Sequence, residues 1–111
     1  MKRDISLFLE DILEQISLIE SSVKRKSDLI EDRNIQDATI RRLEVIGEAT
    51  KNIPNSFRKN YPYIEWKGIA GTRDRISHAY FKIELDVIWD IIKDDLPELK
   101  KQIKEILTKK D

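Results

Sequence analysis

Apolar residues recur along the first part of the chain with the spacing of an α-helix. Between positions 5 and 23 they follow one another at alternating gaps of four and three: Ile5, Leu9, Ile12, Ile16, Ile19 and Val23. This spacing puts them on one face of a helix and leaves the charged residues on the other faces. The run KRKSDLIEDRN at positions 24–34 interrupts the stripe and predicts a polar connection.

The rest of the chain also shows helical spacing, broken at its three prolines. A second helix is predicted to begin near Asn34, a favoured N-cap, and to end before Pro54. After an extended piece around Pro62, a third long helix is predicted from about 65 to about 80. Four later apolar residues stay in helical register: Leu85, Ile88, Ile92 and Leu96. Pro97 fits the first turn of a last helix. The pattern predicts an all-α protein of four or five helices.

Composition supports this fold class and narrows the chemistry. The chain has 111 residues, 38% of them charged, with only three glycines, and shows no repeat or composition shift. We therefore expect one domain spanning 1–111. The absence of cysteine excludes disulfides, a thiolate nucleophile and the common zinc sites. There is no apolar run of about 20 residues, as a membrane span requires, and no signal peptide is apparent, so we expect a cytoplasmic protein.

Charge is balanced overall but uneven along the chain. The formal net charge is zero, which argues against a globally basic nucleic-acid binder. Positions 58–82, the basic segment below, hold two acids and six basic residues: Arg58, Lys59, Lys67, Arg73, Arg75 and Lys82. Such a segment is compatible with a phosphate-bearing partner and equally with a solvated helix face.

The sequence RDRISHAYF at 73–81 holds the only histidine. On a helix, Asp74 and His78 are stacked four residues apart, so the carboxylate can orient the imidazole. Arg73 and His78 lie about 140° apart on a straight helix. They can face one substrate atom only if the helix ends near Ser77 or a second copy of the chain contributes. The geometry thus predicts a site completed across a dimer.

Arginine and histidine are sufficient for RNA cleavage without a metal. The histidine can exchange protons with the reacting oxygens, and the arginine can neutralise the charged phosphate, while the RNA supplies its own 2′-hydroxyl as nucleophile. A metal site is not indicated, because one histidine and no cysteine leave only carboxylates as ligands. The alternatives are structural: helix-surface ion pairs for Arg73, Asp74 and Arg75, core packing for Trp66, Tyr80 and Phe81, and close helix packing for Gly68 and Gly71. Spacing alone leaves the function open.

Several stretches together resemble the HepT-like members of the HEPN superfamily. They are AGTRDRISHAYF, the preceding IEW, the following DVIWDIIKDDLPELKKQI and the upstream DRNIQDATIRRLEVIGEATKNIP. The resemblance runs from about Asp32 to about Leu107. The family motif is an arginine, a polar residue, variable positions, a histidine and a tyrosine two further on. Here these residues are Arg73, Asp74, His78 and Tyr80, with Ala79 where many relatives have another small residue.

The resemblance implies a HEPN-type up-and-down bundle that acts as a metal-independent endoribonuclease toxin, with tRNA among the candidate substrates. Such toxins are homodimers whose two motifs face each other. Arg73 would stabilise the transition state, His78 would act as general acid and base, and Asp74 would fix the histidine tautomer. Arg75 could share the phosphate-binding role. The family's partner is a minimal nucleotidyltransferase antitoxin, which would silence the toxin by transferring AMP from ATP to Tyr80.

Two other interpretations stay open. In the first, the chain is a non-catalytic helical module that holds a nucleotidyltransferase or a nucleotide between two protomers. In the second, Trp66, Tyr80, Gly68 and Gly71 serve only dimer packing. Neither needs a cofactor or a metal, and fold alone does not decide between them and catalysis.

Overall fold

The computed structural model describes residues 4–72, 76 and 85–109. The elements whose bounds are described are seven α-helices and one π-helical turn: α1 (Ile5–Ser22), α2 (Lys26–Glu31), α3 (Arg33–Lys51), α4 (Asn55–Arg58), α5 (Trp66–Ala70), α6 (Leu85–Asp90), the π turn (Ile91–Asp95) and α7 (Leu96–Lys109). The described residues include no strand, which confirms the predicted all-α class. None of their helices is long and apolar enough to cross a membrane.

The core is built on the predicted stripe of α1. Leu9, Ile12, Ile16 and Ile19 are fully buried there, as the alternating spacing predicts. α1 packs against α3 and α7, and α3 also packs against α5. Both partner helices bring fully or almost fully buried side chains to the same cluster: Leu43 and Ile46 from α3, Ile103 and Ile106 from α7.

The polar connection predicted at 24–34 is wrong in part, because it contains the short helix α2. Leu29 is fully buried and anchors this helix to the core. One carboxylate oxygen of Asp28 accepts hydrogen bonds from the backbone N–H groups of Lys24 and Arg25, each at 3.0 Å. These bonds hold the start of the helix. Six residues with one fully buried position are too few for a periodic pattern to be visible in sequence.

The start predicted for the second long helix is displaced by two residues. The N-cap of α3 is Asp32, whose carboxylate accepts from the backbone N–H groups of Asn34 at 2.9 Å and Ile35 at 3.3 Å. Both Asp and Asn are good caps, but Asp also adds negative charge at the positive end of the helix dipole. The predicted break at Pro54 is confirmed, since α3 ends at Lys51.

The final 25 described residues form a run of helix without an intervening loop. The sequence predicts two helices here, and the structure joins them through the π turn. The N–H of Leu96 donates to the carbonyl of Ile91, five residues earlier. Pro97 follows at once. Because its ring has no N–H and crowds the carbonyl four residues back, the wider π turn before it lets the chain continue as helix. The predicted place of Pro97, in the first turn of the last helix, is confirmed.

Candidate functional site

The predicted motif residues Arg73, Asp74, His78 and Tyr80 lie outside the described residues, as does Arg75. Their mutual geometry, the 140° separation and the shared dimer site therefore stay predictions. What the structure does describe is the scaffold on both sides of the motif. That scaffold consists of α5 with the corner before it (residues 52–65), two buried anchor residues (Thr72 and Ile76), and α6.

An aromatic cluster fixes the chain where it enters α5. The Trp66 ring is 6% exposed, and its indole N–H donates to the carbonyl of Tyr61 at 2.9 Å. The Phe57 ring packs against both, with its centroid 5.2 Å from that of Tyr61 and 6.5 Å from that of Trp66. Trp66 is therefore part of the chain's own core. Its role in the dimer-packing interpretation is wrong, because a buried ring offers no surface to a second protomer.

The two glycines beside the motif have different environments. Gly71 ends α5, and its N–H donates to the carbonyl of Lys67 at 3.0 Å. A side chain at Gly71 would begin 3.3 Å from that same carbonyl, whereas one at Gly68 would meet nothing within 4 Å. No described part of the chain packs closely on Gly68. Among the described residues, the predicted small-residue packing face is thus not found at this glycine.

Two buried residues anchor the chain next to the predicted arginine. Thr72 is 6% exposed, and its hydroxyl donates to the carbonyl of Gly68 at 3.3 Å. Ile76 is helical and belongs to the hydrophobic core. These two residues bracket positions 73–75. After the motif, the buried Ile88 of α6 joins the core, and Asp86 forms an ion pair with Lys26 of α2.

The structure revises the predicted basic segment. The guanidinium of Arg58 donates from Nε to the carbonyl of Ile53 at 3.0 Å and from Nη2 to that of Thr50 at 2.6 Å. Arg58 therefore caps the end of α3 and is half-buried. Lys59 and Lys67 are exposed, as expected of residues that meet a phosphate or solvent. The other three basic residues, Arg73, Arg75 and Lys82, lie outside the described residues.

The described helices and their shared core define an all-α protein of HEPN type. A family model described as "Ribonuclease HepT-like" matches residues 12–106. The chain belongs to the HepT-like ribonuclease family.

Relatives with similar sequences carry ribonuclease names. "Probable ribonuclease HepT" from Thermococcus cleftensis is 44% identical over 108 residues, covering 96% of this chain and 98% of its own. "Putative RNase TTE0752" from Caldanaerobacter subterraneus subsp. tengcongensis is 43% identical, covering 92% of this chain and 93% of its own.

A third relative is longer. "Gamma-glutamylcyclotransferase and putative RNase MJ0434" from Methanocaldococcus jannaschii is 42% identical over all of this chain. The chain spans only 51% of that relative's length. No solved structure matches the chain.

Proposed function

We propose that this chain is a metal-independent endoribonuclease and the toxin of a toxin–antitoxin pair, acting in the cytoplasm as one domain over 1–111. The observation that carries the proposal is the family match over residues 12–106, which spans Arg73, Asp74, His78 and Tyr80. The ribonuclease names of the relatives support the reaction class. One continuous hydrophobic cluster, from Leu9 to Ile106, supports the single domain.

The reaction follows from the chemistry of the motif residues. The 2′-oxygen of the RNA attacks the adjacent phosphorus while the bond to the 5′-oxygen breaks, which leaves a cyclic phosphate and a free 5′-hydroxyl. His78 takes the proton from the 2′-hydroxyl or gives one to the leaving oxygen. Arg73 stabilises the charge on the phosphate in the transition state, and Asp74 holds the imidazole in one tautomer.

RNA cleavage with EDTA present tests the reaction class. Purified protein should cut total RNA or tRNA, and His78→Ala and Arg73→Ala should each lower the rate by about 100-fold or more. Arg33→Ala is a matched control, because Arg33 is 73% exposed and its guanidinium lies 3.4 Å from the carboxylate of Asp37 on the same exposed face. Cleavage by His78→Ala at the wild-type rate would exclude this mechanism. Intact RNA with the wild type, free of AMP by mass spectrometry, would favour the non-catalytic binding module.

The homodimer belongs to the proposal and has its own test. Arg73→Ala and His78→Ala chains are co-expressed, so that mixed dimers form. If one protomer supplies the arginine and the other the histidine, each mixed dimer contains one complete site. An equal mixture should then recover about a quarter of wild-type activity. No recovery, with mixed dimers confirmed by mass spectrometry, would contradict a site shared in this way.

Silencing by AMP transfer is the last part of the proposal. The phenolic oxygen of Tyr80 would bond to the α-phosphorus of ATP, and pyrophosphate would leave. The added anion would occupy the place of an RNA phosphate and repel it. Incubation with ATP and a minimal nucleotidyltransferase should add one AMP and stop cleavage. Tyr63→Phe is the matched control, since Tyr63 is 52% exposed. AMP transfer to Tyr80→Phe protein would show that another residue is the acceptor.

A further inference from the structure

Tyr63 presents an aromatic ring to solvent in the corner before α5. Among the large apolar side chains of residues 4–72, 76 and 85–109 that are exposed, it is the most exposed, at 52%, and the only aromatic one. The other three are aliphatic: Leu7, Leu18 and Ile30. A single exposed apolar side chain has no functional meaning by itself. The surroundings of the ring therefore decide what it can do.

The backbone on both sides of Tyr63 is fixed. Pro62 precedes it with a restricted φ, and Ile64 follows it, 3% exposed in the core. The N–H of Ile64 donates to the carbonyl of Tyr61 at 3.2 Å, and the Trp66 indole donates to the same carbonyl at 2.9 Å. The chain thus holds the Cα of Tyr63 in one place.

The ring of Tyr63 is also held by a neighbouring ring. Its centroid lies 6.3 Å from that of Tyr61, with the two planes 82° apart, which is a favourable edge-to-face contact. Tyr61 packs in turn on Phe57, at 5.2 Å between centroids. Because the Tyr63 ring is ordered and still half-exposed, it would lose little conformational entropy when a flat partner stacks on it.

This ring shares a cleft with the residue that leads into the motif. Tyr63, Gly68 and Thr72 all line a cleft of about 590 Å³ between α3, α5 and the run formed by the π turn and α7. A side chain at Gly68 would meet no described atom within 4 Å, so there is room beside α5. Thr72 directly precedes Arg73 in the chain. A ligand on the ring is therefore on the surface that leads to the first motif residue.

The chemistry of this surface favours an uncharged, flat group. The cleft carries exposed carboxylates, Glu65 and Asp94 among them, which would repel a phosphate. A nucleobase has no net charge, and stacking of unpaired bases on aromatic side chains is how many proteins bind single-stranded RNA. In a duplex the faces of the bases are already stacked on one another. The exposed ring thus suits an unpaired base.

We propose that Tyr63 stacks on an unpaired base of the RNA substrate and so directs the protein to single-stranded stretches and loops. The inference rests on the proposed ribonuclease function, since it takes RNA as the ligand, and it names the substrate class as unpaired RNA. Tyr63 binds the substrate and takes no part in the chemical step.

Fluorescence anisotropy of a labelled RNA tests the proposal without cleavage. The probe is a fluorescein-labelled single strand of about 12 nucleotides, a length within the range of single-strand binding sites, and the protein carries His78→Ala so that the RNA stays intact. In this background Tyr63→Ala should weaken binding about tenfold, because one base loses its stacking partner. The dependence of the affinity on salt should stay unchanged, since the ring neutralises no phosphate.

Two conservative variants separate stacking from a structural role. Tyr63→Phe keeps the ring and should bind as tightly as the parent, whereas Tyr63→Leu keeps apolar bulk without a ring and should bind as weakly as Tyr63→Ala. Ile30→Ala is the matched control, because it truncates a side chain that is 46% exposed in α2 and should leave the affinity within about twofold. RNA should also move the NMR signals of the Tyr63 ring upfield, as the ring current of a stacked base requires.

Steady-state cleavage separates this inference from the function on which it rests. In the otherwise wild-type protein, Tyr63→Ala should raise KM for single-stranded RNA about tenfold and leave kcat nearly unchanged. Binding that depends on the ring, without cleavage by the wild type, would support the stacking site and contradict the ribonuclease. Cleavage with an unchanged KM in Tyr63→Ala would overturn the stacking site alone.

Three further results would overturn the proposal. They are equal binding by Tyr63→Leu and Tyr63→Phe, a loss in Tyr63→Ala that is just as large for a blunt-ended RNA duplex, and a changed oligomeric state of Tyr63→Ala in sedimentation. The last result would assign the ring to a contact between two copies of this chain.

Discussion

Helix α1 and the corner that joins α3 to α5 (residues 52–65) are attached to the same core by different means. α1 is held by four fully buried aliphatic side chains in one stripe. The corner also buries two aliphatic side chains, Ile53 and Ile64. In addition, two side chains donate to backbone carbonyls: Arg58 to those of Thr50 and Ile53, and Trp66 to that of Tyr61. The attachment of α1 is spread over similar apolar contacts, whereas the corner adds directional bonds that position the chain leading to the motif.

The largest effect is expected where the stripe of α1 is cut. Ile16→Ala removes three carbons from a fully buried position and leaves a cavity, so it should lower the free energy of unfolding by about 2–5 kcal/mol. Urea denaturation measures this change. Leu18→Ala on the same helix is the control, because Leu18 is 39% exposed and should cost less than about 1 kcal/mol. Equal losses for the two variants would mean that the stripe is not the main attachment of α1.

A smaller loss is expected when the corner is released. Arg58→Met keeps the aliphatic stem but leaves the carbonyls of Thr50 and Ile53 without their donor, which should cost about 1–3 kcal/mol. Arg58→Lys should recover only part of this, since an ammonium group lacks the planar fork of the guanidinium. Urea denaturation of both variants beside Lys59→Met, an exposed neighbour, makes the comparison. If Arg58→Met and Lys59→Met are equally stable, Arg58 does not cap α3.

The same contrast explains which parts of the structure could be predicted from sequence. The stripe of α1 is a local pattern with a fixed period, and five of its six predicted residues are buried, while Ile5 is only partly buried. The sequence places Arg58 in a basic segment, because a count of charges contains no information about nearby carbonyl groups. Gly68 stands out in the sequence as an unusual residue in a helix. Only the structure shows that no described atom would contact a side chain at this position.

The proposed catalytic residues, in contrast, can be identified from the sequence alone. Arg73 and His78 are identified by their residue types and by the family motif, both of which are sequence properties. Whether they meet in one protomer or across two is a matter of geometry. The co-expression of Arg73→Ala and His78→Ala chains tests it. The described anchors Thr72 and Ile76 show only that the core holds the chain beside them.

The smallest effect is expected at Asp28, a half-buried residue that, like Arg58 in the corner, is bonded to backbone groups. Its carboxylate is 28% exposed, and hydrogen bonds from the backbone N–H groups of Lys24 and Arg25 lower its pKa below the usual 3.8. Because the folded pKa lies below the unfolded one, the stabilisation is complete above the unfolded value and is lost as the pH falls through the folded value. Asp28 therefore contributes to stability at neutral pH and not in strong acid.

Asp28→Asn tests this directly by thermal denaturation. Asparagine can still accept a hydrogen bond but carries no charge, so the variant should melt slightly below wild type at neutral pH. The difference in Tm should shrink as the pH is lowered through about 4 and toward 2, where the wild-type carboxylate is protonated as well. Asp37→Asn is a control for an exposed carboxylate, since Asp37 lies in α3, is 63% exposed and is 3.4 Å from Arg33. A Tm difference for Asp28→Asn that is the same at every pH would mean that shape, and not charge, holds the start of α2.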